Sequence, residues 1–223
     1  MLVQGVTITE ATYVPLKAKQ GQEQGLAELL IAGARLVTQT EPKTLVWAGL
    51  KNKDDMMIFD AFEDASGREA HFAGKVAAAL KEKSGSLVQG GWEKGVLADV
   101  RNPKVLSTKT SNNPGEMKIA LFVPLKAKFG KAGALADFLK TGTAIVEKTE
   151  PKTAYWFAVQ VFEDEFVVID FFANQSGVDA HFAGEIAAAI KANANAEALI
   201  EGGWDKDVVA NVQKFEVLVM VSK

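Results

Sequence analysis

The sequence predicts an α+β fold made twice over: two β-α-β-β-α-β modules in tandem, each covering the sheet of the other. Three observations predict it. The 223-residue chain repeats itself at an offset of 109 to 112 residues, and each copy alternates strand-like runs with two helical stretches. One strand in each copy is apolar on both faces, so its sheet needs a cover on the side its helices leave open.

The repeat is explicit. Tyr13 to Lys19 (YVPLKAK) returns as Phe122 to Lys128 (FVPLKAK), and Thr40 to Thr44 (TEPKT) returns verbatim as Thr149 to Thr153. Trp47 matches Trp156. After one inserted residue Asp60 matches Asp170, and Ala70 to Gly74 (AHFAG) returns as Ala180 to Gly184; after two more, Gly90-Gly91-Trp92 matches Gly202-Gly203-Trp204. Residues 1–110 and 111–223 therefore read as two domains. The junction falls in the polar, turn-forming run from Thr108 to Gly115.

Within each copy the elements follow in order. Val6 to Pro15 alternates like a strand, and its counterpart Ile119 to Pro124 is a short apolar run bounded by proline. Leu26, Leu30, Gly33 and Val37 recur at helical spacing, as do Leu135, Leu139, Gly142 and Val146, until a Glu-Pro turn stops the helix. Thr44–Leu50 and Met56–Glu63 form a hairpin about the polar turn Lys51–Asp55. Ser66-Gly67-Arg68-Glu69 fits a capping box opening a second helix, whose stripe is Ala73, Val76, Ala77, Leu80 in one copy and Ala183, Ile186, Ala187, Ile190 in the other. After the Gly-Gly-Trp turn, Gly95–Thr108 and Asp207–Val221 supply the last strand region. This order, with helices on one face of an antiparallel sheet, is the ferredoxin-like split βαβ arrangement.

Composition removes several classes of function. With 25 Lys+Arg against 28 Asp+Glu the chain lacks the positive field that binding to a phosphate backbone requires, so nucleic acid is not expected as a partner. Zero cysteines exclude disulfides, thiolate nucleophiles and Cys-ligated metals; two histidines make a multi-histidine metal site implausible. No apolar stretch reaches the roughly 18 residues of a membrane span and the start lacks a basic-then-apolar leader, so the chain reads as cytoplasmic, with no membrane partner. The phosphate-binding glycine motifs of dinucleotide and P-loop sites are missing, as are Gly-x-Ser-x-Gly and His-Glu-x-x-His.

Glu41-Pro42 and Glu150-Pro151 after the first helix, Asp60 and Asp170 on the hairpin, and Ala70-His71 and Ala180-His181 eleven residues further on resemble the antibiotic biosynthesis monooxygenase (ABM) domain of the dimeric α+β barrels. The chain departs from that pattern at Lys43 and Lys152, where glycine is usual, and at Asp60 and Asp170, where glutamate is usual. The resemblance implies an intramolecular dimeric α+β barrel, a pseudo-dimer within one chain, and leaves open a further homodimer. It also implies an oxidoreductase that oxygenates a small aromatic or quinol-type molecule with no bound cofactor and no metal.

His71 and His181 are the only histidines, and imidazole suits proton transfer near neutral pH. On a continuous helix, however, His71 lies about 160° from Ala73 and turns away from the sheet, which favours a structural role unless Gly74 breaks the helix. Asp60 and Asp170 sit among apolar strand residues, where a carboxylate is costly unless paired; each reads as an ion-pair or hydrogen-bond partner, or as a general base raised by its surroundings. Trp47, Trp156 and Tyr155 on the second strand, with Trp92 and Trp204 after the glycine turns, are core aromatics or the walls of a pocket for a flat ligand. Lys17, Lys19, Lys126 and Lys128 read as a solvated basic strand end. Two other functions stay open: a noncatalytic small-ligand-binding or stress-related barrel, and haem binding or degradation, disfavoured because the tryptophan usual near the helix histidine is missing.

Overall fold

The structure, a computed structural model, describes residues 7–53, 55–111, 113, 116–195 and 198–223. Its strands are β1 (Glu10–Lys17), β2 (Thr44–Asn52), β3 (Asp55–Phe62), β4 (Lys104–Lys109), β5 (Ile119–Lys126), β6 (Tyr155–Gln160), β7 (Glu165–Phe172) and β8 (Gln213–Ser222). Its helices are α1 (Glu23–Thr40), α2 (Ala65–Phe72), α3 (Lys75–Leu87), the single turn α4 (Gly91–Gly95), α5 (Ala132–Thr149), α6 (Gln175–Phe182) and α7 (Glu185–Asn195). Within one compact unit the strands run in the order β1-β3-β2-β8, and within the other β5-β7-β6-β4. Among the described residues no helix is long and apolar enough to cross a membrane.

Two compact units result, and they do not coincide with the sequence repeats 1–110 and 111–223. Residues 103–110, from the end of the first repeat, belong to the second unit, and residues 216–223, from the end of the second, belong to the first. Each unit thus takes its fourth strand from the other repeat. In the first unit β2 is flanked by β3 and by β8, with Trp47 opposite Val221 and Ala48 opposite Met220. In the second, β6 is flanked by β7 and by β4, with Phe157 opposite Thr108. Part of the junction run read from the sequence, at 112, 114 and 115, lies outside the described residues.

The core of the first unit forms where α1 and α3 lie on the sheet. Leu26, Leu30, Ala34 and Val37 on α1 meet Val14, Leu16, Trp47 and Ile58 on the strands and Val76 and Leu80 on α3. At about 1.5–3 kcal/mol for each fully buried aliphatic side chain, this stripe is the main reason α1 is helical. Leu135, Leu139 and Val146 do the same for α5 in the second unit. The opposite face of each sheet is buried too: Phe59 and Ala61 in the first unit and Phe157, Ile169 and Phe171 in the second are fully enclosed.

Three local expectations change. The second helix of each copy is two helices, because Gly74 takes ψ −178° and ends the helical path after Ala73. The cap is two residues earlier than the Ser66 box: Asp64 accepts from the Gly67 N–H at 3.1 Å, Asn174 accepts from the Gly177 N–H at 3.3 Å, and Ser66 donates to Asp64 instead. Last, the Gly-Gly-Trp segments lead into short helical turns, so β4 begins at Lys104 rather than near Gly95, and β8 at Gln213.

One contact differs instructively between the units. Glu10 on β1 is buried and pairs with Arg68 of α2 at 2.5 Å. The equivalent positions in the second unit are Ile119 and Val178, both packed into the hydrophobic cluster. The molecule carries an ion pair and its apolar replacement at the same place, as expected if a well-packed apolar pair can match a buried salt bridge.

Candidate functional site

The break at Gly74 decides where His71 points. With α2 ending at Phe72, His71 turns inward and is 6% exposed, a correction to the outward orientation that a continuous helix would give it. Its Nδ1 lies 2.6 Å from Glu41 Oε2, at the end of α1, and its Nε2 lies 3.5 Å from Asp60 Oδ2 on β3. Glu41 Oε1 accepts the Val76 N–H at 3.1 Å, in the first turn of α3. Thr44 stands 3.4 Å from both Glu41 Oε2 and His71 Nδ1. One glutamate thus joins the end of α1, the histidine of α2 and the start of α3.

The second unit repeats this geometry. His181 Nδ1 is 2.6 Å from Glu150 Oε2, His181 Nε2 is 3.4 Å from Asp170 Oδ2, and Glu150 Oε1 accepts the Ile186 N–H at 3.3 Å. Thr153 donates to Glu150 Oε2 at 2.9 Å, a firmer bond than in the first unit. The close fit explains the glycine: a Cβ on Gly74 or Gly184 would stand 2.4 Å from the Glu41 or Glu150 Oε1 atom.

The electrostatics follow from burial and from the two carboxylates around each ring. Burial pushes the Asp60 and Asp170 carboxyls up to about 7; the nearby imidazolium opposes this, and the second carboxylate adds to it. Burial alone would lower both histidines, but the aspartate charge and the bond to glutamate outweigh it, so both stand above their ordinary value. For Glu41 and Glu150, burial is outweighed by hydrogen bonds from the histidine, the threonine and the backbone, and both are held low. Each site therefore joins a glutamate whose anion is favoured, an imidazole whose protonated form is favoured and an aspartate whose carboxyl burial pushes up to about 7, the three titrating as a coupled group. Asp60 Oδ1 and both carboxylate oxygens of Asp170 have no hydrogen-bond partner among the described residues.

Of the residues singled out in the sequence, Asp60 is brought to His71, and Asp170 to His181. The five aromatics are not brought to one place. Trp47 and Trp156 are fully buried on the helix-facing side of their sheets, each the register partner of the aspartate. Tyr155 is on the opposite face from Trp156, edge-on to Phe171, its hydroxyl donating to the Ser111 carbonyl. Trp92 and Trp204 are half-buried at the margins of their own clusters. Gly33 and Gly142 serve the close approach of helix and sheet, facing the six-membered ring edges of Trp47 and Trp156. Sequence reasoning missed Glu41, Glu150, Thr44 and Thr153 as site residues, reading Glu41-Pro42 and Glu150-Pro151 as a helix-ending turn and a mark of resemblance; the verbatim return of TEPKT beside the AHFAG repeat was the available signal.

Small pockets adjoin these groups. In the second unit one of about 170 Å³ opens beside His181, with Glu150, Lys152 and Thr153 among its walls. A larger cleft of about 660 Å³ beside Lys126 and Lys128 also has Asp164 and Glu201 in its wall, so its charge is mixed.

Fold and site define a duplicated α+β unit, each copy with one carboxylate–imidazole–carboxylate cluster. This is the fold of the dimeric α+β barrels, shared with ABM-like proteins and here made as a tandem repeat. No family model and no curated protein sequence matches the chain. Solved structures do: a "putative monooxygenase" of Fusobacterium nucleatum has TM-score 0.77 at 12% identity, covering 97% of this chain and 95% of that one. One of the same description from Lactobacillus acidophilus has TM-score 0.74 at 11% identity, covering 97% of each chain. An anthrone oxidase-like protein has TM-score 0.58 at 12% identity, covering 96% of this chain and 93% of that one. At these identities the likeness carries the fold alone.

Proposed function

We propose that the protein is an ABM-like oxygenase that acts on a small aromatic or quinol-type substrate without a bound cofactor. The observation that carries this is a buried aspartate facing the Nε2 of a buried histidine in both units, at 3.5 Å for Asp60 and His71 and 3.4 Å for Asp170 and His181, where burial pushes the carboxyl up to about 7. A general base works best when its pKa lies near the working pH. Asp60 or Asp170 takes a proton from an activated C–H of the substrate, with His71 or His181 holding the resulting charge. The carbanion supplies electrons to dioxygen; one oxygen atom stays on carbon as a carbonyl and the other leaves as water, so that CH2 and O2 become C=O and H2O. The anthrone oxidase-like neighbour is named for a substrate of this kind.

The test is oxygen uptake with anthrone-type and hydroquinone-type substrates. Uptake should fall when Asp60→Asn and Asp170→Asn are combined, and likewise for His71→Gln with His181→Gln. Uptake that survives replacement of all four overturns the proposal. A second reading, a noncatalytic ligand-binding barrel, draws on the enclosure of His71, whose ring nitrogens both face carboxylates. It predicts saturable binding of the same compounds with no turnover.

A further inference from the structure

We propose that an apolar crevice of the first unit is a niche for dioxygen beside the Asp60–His71 pair, an inference that deepens the oxygenase reading and rests on it for its role. The crevice, about 80 Å³, lies between α1 and α3 and is walled by Leu30, Gly33, Trp47, Ile58, Val76 and Leu80 among other apolar residues, with no charged or hydroxyl-bearing side chain. Water held in a cavity needs two to four polar partners, and apolar cavities that lack them stay dry and take up apolar guests such as xenon. Its size is well under the roughly 300 Å³ at which pockets for organic ligands begin. An aromatic substrate does not fit; a diatomic gas does.

Two walls tie the niche to the charged cluster. Val76 lines it with its side chain while its backbone N–H donates to Glu41 Oε1. Trp47 lines it and is the register partner of Asp60. Trp47 is thus the wall that the strand register sets beside the carboxylate of the proposed reaction.

The equivalent place in the second unit has larger side chains at three positions and a smaller one, Val168 for Ile58, at a fourth. At the positions of Leu29, Ala32 and Val76 stand Phe138, Thr141 and Ile186, each bulkier. A Cβ on Gly142 would meet Trp156 at 2.6 Å and the Ile186 Cδ1 at 3.3 Å, whereas on Gly33 it would meet Trp47 at 3.0 Å and the nearest Val76 methyl at 3.7 Å. The difference is what one extra methylene at residue 186 and a closer indole produce. It makes Val76→Ile the natural test, since the chain already accommodates isoleucine at the equivalent place.

The experiment is methyl NMR of the full chain under oxygen pressure, without substrate. Paramagnetic relaxation should be greater at Leu30, Ile58, Val76 and Leu80 than at their counterparts Leu139, Val168, Ile186 and Ile190. Val76→Ile, and separately Ala79→Val, should abolish that excess while leaving the thermal unfolding cooperative. Equal enhancement in the two units, or an excess that both variants retain, overturns the niche. With a substrate in hand, Val76→Ile should raise KM for dioxygen and leave KM for the organic substrate unchanged; an unchanged KM for dioxygen overturns the role in turnover. The relaxation measurement needs no catalysis, so failure of the oxygenase reading and failure of the niche are separately visible.

Discussion

At the scale of single residues, the two histidines are held by partners that set the sign of the pH response. Asp60 and Asp170, ordinarily near 3.8 and here near 7, keep their protons in the folded chain where the unfolded chain has released them. Stability therefore falls as pH rises between those values. The raised histidines add to the fall: their contribution is complete below the ordinary 6.5 and is lost as pH rises through the folded value. Glu41 and Glu150 act in the opposite sense, contributing above the ordinary 4.5 and failing as pH drops through their lowered values. Thermal melts across this range should give a maximum on the acid side of neutrality and a decline through pH 7. Asp60→Asn with Asp170→Asn should flatten that decline; an unchanged slope would show that these carboxylates are not its source. The aspartates were legible in the sequence because a charge among Ile58, Phe62, Val168 and Phe172 is conspicuous. Glu41 and Glu150 were not, because at a helix end glutamate is unremarkable, and only folding brings α1 against α2.

At the scale of elements, the break between α2 and α3, and its twin between α6 and α7, converts a sequence pattern into a site. Periodicity alone carried one helix through Ala73 and placed His71 outside, since an apolar stripe at helical spacing contains no record of a single extended ψ. What fixes the break is the glutamate: its Oε1 occupies the space a side chain at 74 or 184 would need and takes the N–H that a continuous helix would have bonded internally. The backbone of Gly74, at φ −86°, suits alanine, so Gly74→Ala tests that contact rather than backbone freedom. Gly74→Ala and Gly184→Ala should each destabilise by about 1–3 kcal/mol, the usual cost of forcing atoms into a packed interior. Urea denaturation would measure it, with loss of the downfield Nδ1–H signal of the histidine as the local readout. The hairpins, by contrast, were legible almost to the residue, because alternating apolar runs about a polar turn admit few other pairings.

At the scale of the molecule, the sequence repeat and the folded unit are different divisions of the chain. Self-similarity located the two copies, but pairing of the last strand is a long-range choice that no local pattern encodes, and the fourth strand of each sheet comes from the other copy. Both ends of the exchange are fastened alike: the Lys223 amine donates to the carbonyls of Val37 and Glu41 at the end of α1, and the Lys109 amine to those of Val146 and Glu150 at the end of α5. Deleting residues 216–223 should therefore unprotect β2 and α1 in hydrogen exchange while β6 and α5 stay protected; uniform loss across the chain would contradict the division into units. A ribosome making this protein releases β2 (Thr44–Asn52) long before its neighbour β8 (Gln213–Ser222). Until then the nascent first unit carries an open strand edge, the kind of surface that chaperones shield and that stray chains can pair with.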